Sequence, residues 1–517
     1  MKKPAKKRPQ TTNRKPKAEG RTANRRTLKT APRLATGVEG LDDILEGGFP
    51  AQRMYLVEGE PGTGKTTLAL QFLMEGAKNG ERSLCITLSE TRNEMLAVAD
   101  SHGWSLDGVS IYEVVTPAES LKPEMQYTIF HPAEIELGET TSALLKELER
   151  IKPTRVVIDS LSEMRLLARE PLRFRRQILA LKQYLAGSRG TVLLLDDKVM
   201  GTDLQIHSIV HGVVSLEHLA LEYGAERRRI RISKLRGSRF RGGYHDFNIL
   251  TGGLKVYPRL IAAEHHGNFP SGSISSGISA LDRLVGGGLD RGTSTLVLGP
   301  AGSGKSTLAT QFLASAAARG QRAAAFIFDE LRETFIARAE GVGTEMRRFV
   351  KKSAITIQQV DPAELTPGEF AHTIRQAVDR DGVRVVLIDS LNGYLNAMPE
   401  ERFLAVQMHE LLTYLNQQGV VTLLVMAQHG FLGSAMQTPV DVSYLADTVL
   451  LLRYFEAVGE IRRALSVIKK RTGRHELSIR EMKLHSDGIS LGEPLKQFRG
   501  ILAGIPIYER KQTTATG

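Results

Sequence analysis

Two stretches of this sequence carry a residue pattern suited to holding phosphate. Gly59-Glu60-Pro61-Gly62-Thr63-Gly64-Lys65-Thr66 fits G-x-x-x-x-G-K-[ST], and Gly299-Pro300-Ala301-Gly302-Ser303-Gly304-Lys305-Ser306 repeats it. Glycines at this spacing let backbone N–H groups turn inward around phosphate oxygens, and a helix starting at the loop adds favourable electrostatics. Lys65 and Lys305 can then reach the β- and γ-phosphates, while Thr66 and Ser306 offer hydroxyls to Mg2+. Gly59, Gly62, Thr63, Gly64 and Thr67 complete one cradle; Gly299, Gly302, Ser303, Gly304 and Thr307 complete the other. The expected ligands are ATP and Mg2+.

Other residues could complete the chemistry. Asp159 and Asp389 each end a short apolar run within 156–161 and 385–391. A carboxylate there lies beside the phosphate loop and can hold the water shell of Mg2+. An Asp before Ser-Leu can also simply cap a helix. Hydrolysis further needs a group that orients or deprotonates water. Glu90 in the first half, and Asp329 and Glu330 in the second, follow the next strand, either as that base or as exposed strand-end acids. Gln428, in Met426-Ala427-Gln428-His429, either senses the γ-phosphate or begins a polar loop. Two basic clusters, Lys234-Leu235-Arg236-Gly237 and Lys469-Lys470-Arg471-Thr472-Gly473, lie on β-rich segments far along the chain from their own loops. They are solvated strand charges or cations delivered across a subunit boundary, as an arginine finger works. Trp104 reads as a packed anchor, and His265-His266 as linker surface rather than a metal site.

The elements that must position these groups occur twice. Thr36–Leu73 aligns without gaps to Ser276–Leu313, with 17 of 38 positions identical at an offset of 240. Short apolar runs alternate with helical stretches in both copies, which predicts α/β units around a mainly parallel sheet. The expected boundaries are 34–258 and 273–500, joined by a linker at 259–272 and followed by a short tail at 501–517. The 517 residues carry 69 Lys+Arg against 57 Asp+Glu, a net charge of +12. Residues 1–33 hold 13 of the basic residues and one acid, 13 − 1 = +12, so the rest of the chain is formally neutral. A segment so charged and so poor in large apolar side chains is expected to be a disordered basic tail. The single cysteine excludes a disulfide framework and a cysteine-rich zinc site. The absence of a long apolar run points to a protein without a membrane span, and cytoplasmic.

Taken together, these residues resemble the KaiC family of circadian clock ATPases, within the RecA-like P-loop ATPases. The resemblance runs from about Pro32 to Ile507. It is carried by TGVEGLDDILEGGFP and SGISALDRLVGGGLD, the duplicated phosphate loop, the two Asp-Ser-Leu strands, Lys234–Gly237, and Ser443–Thr448 leading into VLLLRYFE. It implies two RecA-like domains per chain, a homohexameric double ring, and ATP at subunit interfaces. It further implies that Lys234, Arg236, Lys469 and Arg471 act on the neighbour's nucleotide, and that the second half phosphorylates itself. Three positions depart from the family's pattern. The strand-end Glu-Glu pair reads Ser89-Glu90 in the first half and Asp329-Glu330 in the second. The Ser-Thr phosphorylation pair reads Ser443-Tyr444, and the long tail gripped by an activator is replaced by Ile505–Gly517. The expected function is an ATP-hydrolysing signalling or timing protein, with a possible Ser/Thr autokinase activity at Ser443 and a signalling protein as partner. The alternatives are a DNA-interacting ATPase that binds nucleic acid through residues 1–33, and a nucleotide-gated scaffold with negligible hydrolysis.

Overall fold

The computed structural model describes residues 32–114, 132–168, 170–187, 189–198, 204–220, 224–396, 403–428, 444–502 and 507–508. Nine strands of the first half form one sheet: β1 (Met54–Gly59), β2 (Ser83–Thr87), β3 (Val109–Glu113), β4 (Arg155–Asp159), β5 (Thr191–Asp197), β6 (Gly212–Leu219), β7 (Arg227–Leu235), β8 (Tyr244–Leu250) and β9 (Gly253–Tyr257). Their order is β9-β8-β7-β6-β1-β5-β4-β2-β3. The strands from β3 to β6 are parallel, and β6 to β9 form an antiparallel meander. The second half repeats this order with β10 (Ser294–Gly299), β11 (Arg322–Ile327), β12 (Ile355–Gln359), β13 (Val383–Asp389), β14 (Val421–Ala427), β15 (Thr448–Ala457), β16 (Glu460–Lys470), β17 (Arg480–His485) and β18 (Gly488–Pro494). The expected parallel sheet is therefore present, with an antiparallel flank that the strand pattern alone did not resolve.

The parallel strands are apolar on nearly every residue because both faces are covered. In β1, Tyr55 and Val57 face the layer that holds helix α1 (Lys65–Lys78), while Met54 and Leu56 face the helices Pro132–Ile151 and Pro171–Gly187. The second half packs α2 (Lys305–Ala318) against Val297 in the same way, and Leu296 faces the opposite layer. Such a three-layer unit leaves the C-terminal ends of the parallel strands as the open edge, and ligands of α/β sheets sit there. Among the described residues, no helix is long and apolar enough to cross a membrane.

One buried cation joins helix to sheet in the first half. Arg155, fully buried at the start of β4, pairs with Glu81 at 2.7 Å, donates to the carbonyls of Ala35 and Phe72, and lies 4.6 Å from the Phe72 ring centroid. Arg155→Met strands those acceptors, so the first half is expected to lose about 3 kcal/mol of stability. Trp104, the only tryptophan, packs on the first-half core and lies 4.6 Å from the His102 ring, so its fluorescence reports on this half. An unchanged urea midpoint of Trp104 emission in Arg155→Met would contradict this role.

A second buried group ties off the end of the same sheet. His245 on β8 donates from Nε2 to the Arg241 carbonyl at 3.1 Å, and its Nδ1 accepts from the Arg259 N–H at 2.9 Å. Both ring nitrogens are used by the neutral form, and burial pushes its pKa down to about 4. Between pH 6.5 and 4 the unfolded chain therefore binds the proton and the folded one does not, so this contribution is full above pH 6.5 and shrinks as pH falls. At pH 5 the expected loss is about 2 kcal/mol relative to pH 7. A Trp104 urea midpoint as sensitive to acid in His245→Gln as in the parent would remove His245 from the explanation.

Parts of the segment 259–270 pack on the second half, while Arg259 and Glu264 reach back to His245 and Arg241 of the first. Leu260 and Ala262 are buried with Tyr414 and Leu415, and the His265 ring meets Tyr414 edge-on at 5.2 Å. Of the His265–His266 pair expected at the linker surface, His266 is exposed and His265 is half-buried against Tyr414, where Leu260 and Ala262 draw the segment down. Among the described residues, no cluster of ligating side chains surrounds it.

Candidate nucleotide sites

Each phosphate loop runs from a sheet strand into a helix, β1 into α1 and β10 into α2. Gly64 and Gly304, the residues before the helices, both adopt φ +94°, in the left-handed region that a Cβ disfavours. Neither helix has a side-chain cap at its N-terminus, so its first N–H groups point into the loop without a side-chain partner from the cap residue. Gly59 must also be small, since a Cβ there would lie 2.6 Å from Thr63 Oγ1 and 2.7 Å from the Leu216 carbonyl. Thr63, Thr67, Ser303 and Thr307 are buried beneath the loops.

The acids named from sequence converge on this edge because β2, β4 and β5 run parallel to β1. Thr66 Oγ1 donates to Asp159 Oδ2 at 2.9 Å. Burial raises the pKa of Asp159, opposed by the Thr66 hydrogen bond and the charge of Lys65. In the second half, burial pushes Asp389 up to about 6, opposed by its hydrogen bond with Ser306. Its Oδ2 is buried and has no hydrogen-bond partner among the described residues. A buried carboxylate oxygen left unpaired beside a hydroxyl suits a hard cation with oxygen ligands, so Ser306 and Asp389 fit Mg2+, and Thr66 with Asp159 offers the same donor types.

The strand-end acids differ between the halves. Glu90 is half-buried, its Oε2 has no partner among the described residues, and burial followed by the charge of Asp159 raises its pKa. Asp329 instead accepts a hydrogen bond from Ser390, and Glu330 pairs with Arg338 at 2.5 Å. These groups, with Lys305, Ser306 and Asp389, line a cavity of about 190 Å3. Arg338 and Ser390 were not found from sequence. The position matching Arg338 at the offset of 240 is Val98, so comparing the copies would have exposed the arginine as specific to the second half.

A larger asymmetry involves Asp197, which the motif search also missed. It ends β5 directly beside Gly59 on β1. Lys65 Nζ lies 2.9 Å from Asp197 Oδ1 and also donates to the Gly59 and Glu60 carbonyls, each at 2.9 Å. Burial alone would raise the pKa of Asp197, but Lys65 and then Ser162 outweigh it and hold the carboxyl below its ordinary range. In the second half Ala427 holds this place beside Gly299, and Lys305 donates to the Pro300 carbonyl at 2.7 Å. Burial lowers the pKa of Lys305. The first-half lysine is thus engaged by an anion where phosphate would bind. Asp197→Ala is expected to tighten ATP binding at the first site by about tenfold, read with a fluorescent ATP analogue in a Lys305→Ala background. A weaker affinity would make Asp197 part of the nucleotide cradle rather than its competitor.

The basic clusters stand elsewhere. Lys234 on β7 pairs in register with Val213, near the start of β6, and so lies toward the edge opposite the loop. It donates to the carbonyls of His207 and Val210, while Arg236 donates to Ser208 O at 2.8 Å. Burial, then Arg236, lowers the pKa of Lys234. Lys469 donates to Ala446 O at 2.8 Å, and Arg471 reaches Asp447 at 3.2 Å and the Tyr444 carbonyl at 3.0 Å. The structure does not bring these four cations to the phosphate loops of their own halves. Gln428 is buried at the end of β14, with Oε1 unpartnered among the described residues. Ser443, His429 and residues 1–31 lie outside the described residues.

Comparison with known proteins agrees with this repeated geometry. A family model described as "ATPase: KaiC" matches residues 34–261 and again 274–496. A circadian clock protein KaiC3 of Synechocystis sp. is 27% identical over 486 residues, covering 92% of this chain and 95% of its own. The circadian clock oscillator protein KaiC of Acaryochloris marina is 28% identical, covering 92% and 91%. That of Synechococcus elongatus is 27% identical and covers 92% of each chain. With the family's pattern matched twice over a duplicated RecA-like fold, this chain belongs to the KaiC family of ATPases.

Proposed function

We propose that this protein is a cytoplasmic, Mg2+-dependent ATPase that assembles as a homohexameric double ring, works as a timing or signalling switch, and phosphorylates itself at Ser443. The observation that carries the reading is the duplicated constellation of phosphate loop, hydroxyl–carboxylate pair and strand-end acid, built on two units with the same strand order. Lys65 and Lys305 would neutralise charge developing on the γ-phosphoryl group, and loop N–H groups would orient it for in-line attack. Thr66 with Asp159, and Ser306 with Asp389, would hold Mg2+, which supplies further neutralisation of that charge. Glu90 suits the base of the first site, because its Oε2 is unpaired among the described residues and the carboxyl is half-buried and raised in pKa. In the second site Asp329 and Glu330 share that position, and Arg338 holds Glu330. A water activated there gives free phosphate, whereas Ser443 as the attacking hydroxyl gives phosphoserine.

Purified protein with γ-labelled ATP and Mg2+ separates these outcomes. Label on the protein that is lost in Lys305→Ala and in Ser443→Ala supports the autokinase. Free phosphate without protein label supports an ATPase alone, and neither product would leave a nucleotide-gated scaffold. One charge observation favours an accessory role in nucleic-acid binding: the whole excess of +12 lies in residues 1–33. DNA affinity that survives deletion of those residues would refute that role.

A further inference from the structure

The two halves differ at the end of the sheet away from the nucleotide. In the first half a cavity of about 710 Å3 opens between the helices Pro132–Ile151 and Pro171–Gly187. Its apolar lining includes Leu148, Tyr184 and Leu185, and Arg82, Lys152 and Arg189 stand on it against one acid, Glu149. All four charged residues are exposed.

The second half shows what this place in the fold can hold. β4 and β5 pair Ile158 with Leu194, and β13 and β14 pair Ile388 with Leu424, so an offset of 230 relates both strands. By that offset Tyr184, Leu185 and Arg189 correspond to Tyr414, Leu415 and Gly419. There the chain itself occupies the site. Leu260 and Ala262 are buried with Tyr414 and Leu415, the Ala262 N–H donates to Glu410 at 3.0 Å, and Gln418 donates to the His265 carbonyl at 3.1 Å. Phe269 lies over Gly419, where a Cβ would come within 2.3 Å of its ring.

The segment that precedes the first half cannot play the same part. Arg33 and Ser273 begin equivalent two-residue strands, so the offset of 240 carries back into the tail. Leu260, Ala262 and Phe269 then correspond to Gly20, Thr22 and Lys29, and His265 to Arg25. The apolar anchors are gone, replaced by Gly20, Thr22 and Lys29, and the cations Arg25 and Lys29 carry the same sign as Arg82, Lys152 and Arg189 on the cavity rim. We propose that this groove docks an acidic peptide segment with apolar anchors from a partner protein, in the place that the second half fills with its own chain. The inference is independent of the turnover at either nucleotide site.

The test uses three fluorescein-labelled peptides on the full chain, read by anisotropy at low salt. One has the sequence of residues 260–270, LIAAEHHGNFP; one has Asp in place of both histidines; one has Lys in place of the glutamate and both histidines. The acidic peptide is expected to bind at least tenfold more tightly than the basic one. Arg82→Glu, Lys152→Glu and Arg189→Glu combined should invert that order. Gly187→Phe should abolish binding, since a Cβ at Gly187 meets open space beside the cavity and leaves room for the ring. Both variants should keep the parent's melting temperature, so lost folding is not mistaken for lost binding. No saturable binding of the acidic peptide, or an order unmoved by charge reversal, overturns the proposal. Binding that appears only after deletion of residues 1–31 makes the tail the occupant, and saturation by decanoate but by no peptide makes this a small-anion site; each result also overturns it.

Discussion

Glu90→Gln is expected to slow ATP hydrolysis at the first site by about 10²–10⁴-fold, the range for losing a positioned general base, with ATP binding retained. The amide keeps the size of the side chain but cannot accept the proton of an attacking water. Glu90 Oε2 has no partner among the described residues, and burial together with Asp159 raises its proton affinity. Ser89, the residue before it, has no comparable basicity. The measurement is single-turnover phosphate release in a Lys305→Ala background, which leaves the first site as the source. Turnover equal to that of the Lys305→Ala parent would show that Glu90 is only a strand-end acid. The matching change in the second half is Asp329→Asn, where Ser390 already holds the carboxylate.

The second large effect concerns the cations at the far edge. Arg471→Ala is expected to reduce second-half turnover by about 10³-fold or more, as loss of an arginine finger does. The argument is geometric. Lys469 pairs in register with Val449, which in turn lies beside Leu296 near the start of β10, so the Lys469–Arg471 cluster cannot serve the loop at that strand's other end. A subunit-mixing experiment separates a finger from a structural ion pair with Asp447. In a Lys65→Ala background that silences the first site, Arg471→Ala and Lys305→Ala chains, each nearly inactive, should regain activity when mixed, because one supplies an intact loop and the other an intact finger to the same interface. No recovery on mixing would place Arg471 in its own subunit's fold.

Much of this architecture was legible because its signals are local. A phosphate loop is defined by consecutive residues whose backbone freedom and side chains do the work, and the structure places Gly64 and Gly304 in the conformation that this requires. The duplication was visible for the same reason, since Thr36–Leu73 and Ser276–Leu313 align without a gap. Parallel strands buried on both faces read as short apolar runs, and β1, β4 and β5 appeared as such. The antiparallel flank was less clear, because β7 and β8 interleave buried with more exposed positions and all four strands carry charged or histidine side chains within their runs.

What the sequence determined by itself was the chemistry on offer: two phosphate loops, acids at strand ends, cations far from both loops, and a charged segment ahead of a neutral body. Tertiary structure alone decided which of these groups meet. Asp197 reaches Lys65 because β5 inserts beside β1, although the two strands are remote in sequence, and Ala427 gives the second loop no such partner. Glu90 Oε2 has no partner among the described residues while Glu330 is held by Arg338, a difference made by one helix residue packed against the strand end. The groove that is open among the described residues of the first half and covered in the second depends on apolar anchors in the preceding segment: Leu260 and Ala262 bury themselves on one unit, and Gly20 and Thr22 stand at the matching positions before the other. Residue type and spacing fix what a side chain can do, but sheet order and packing bring distant side chains within the few ångströms over which charge and hydrogen bonds act.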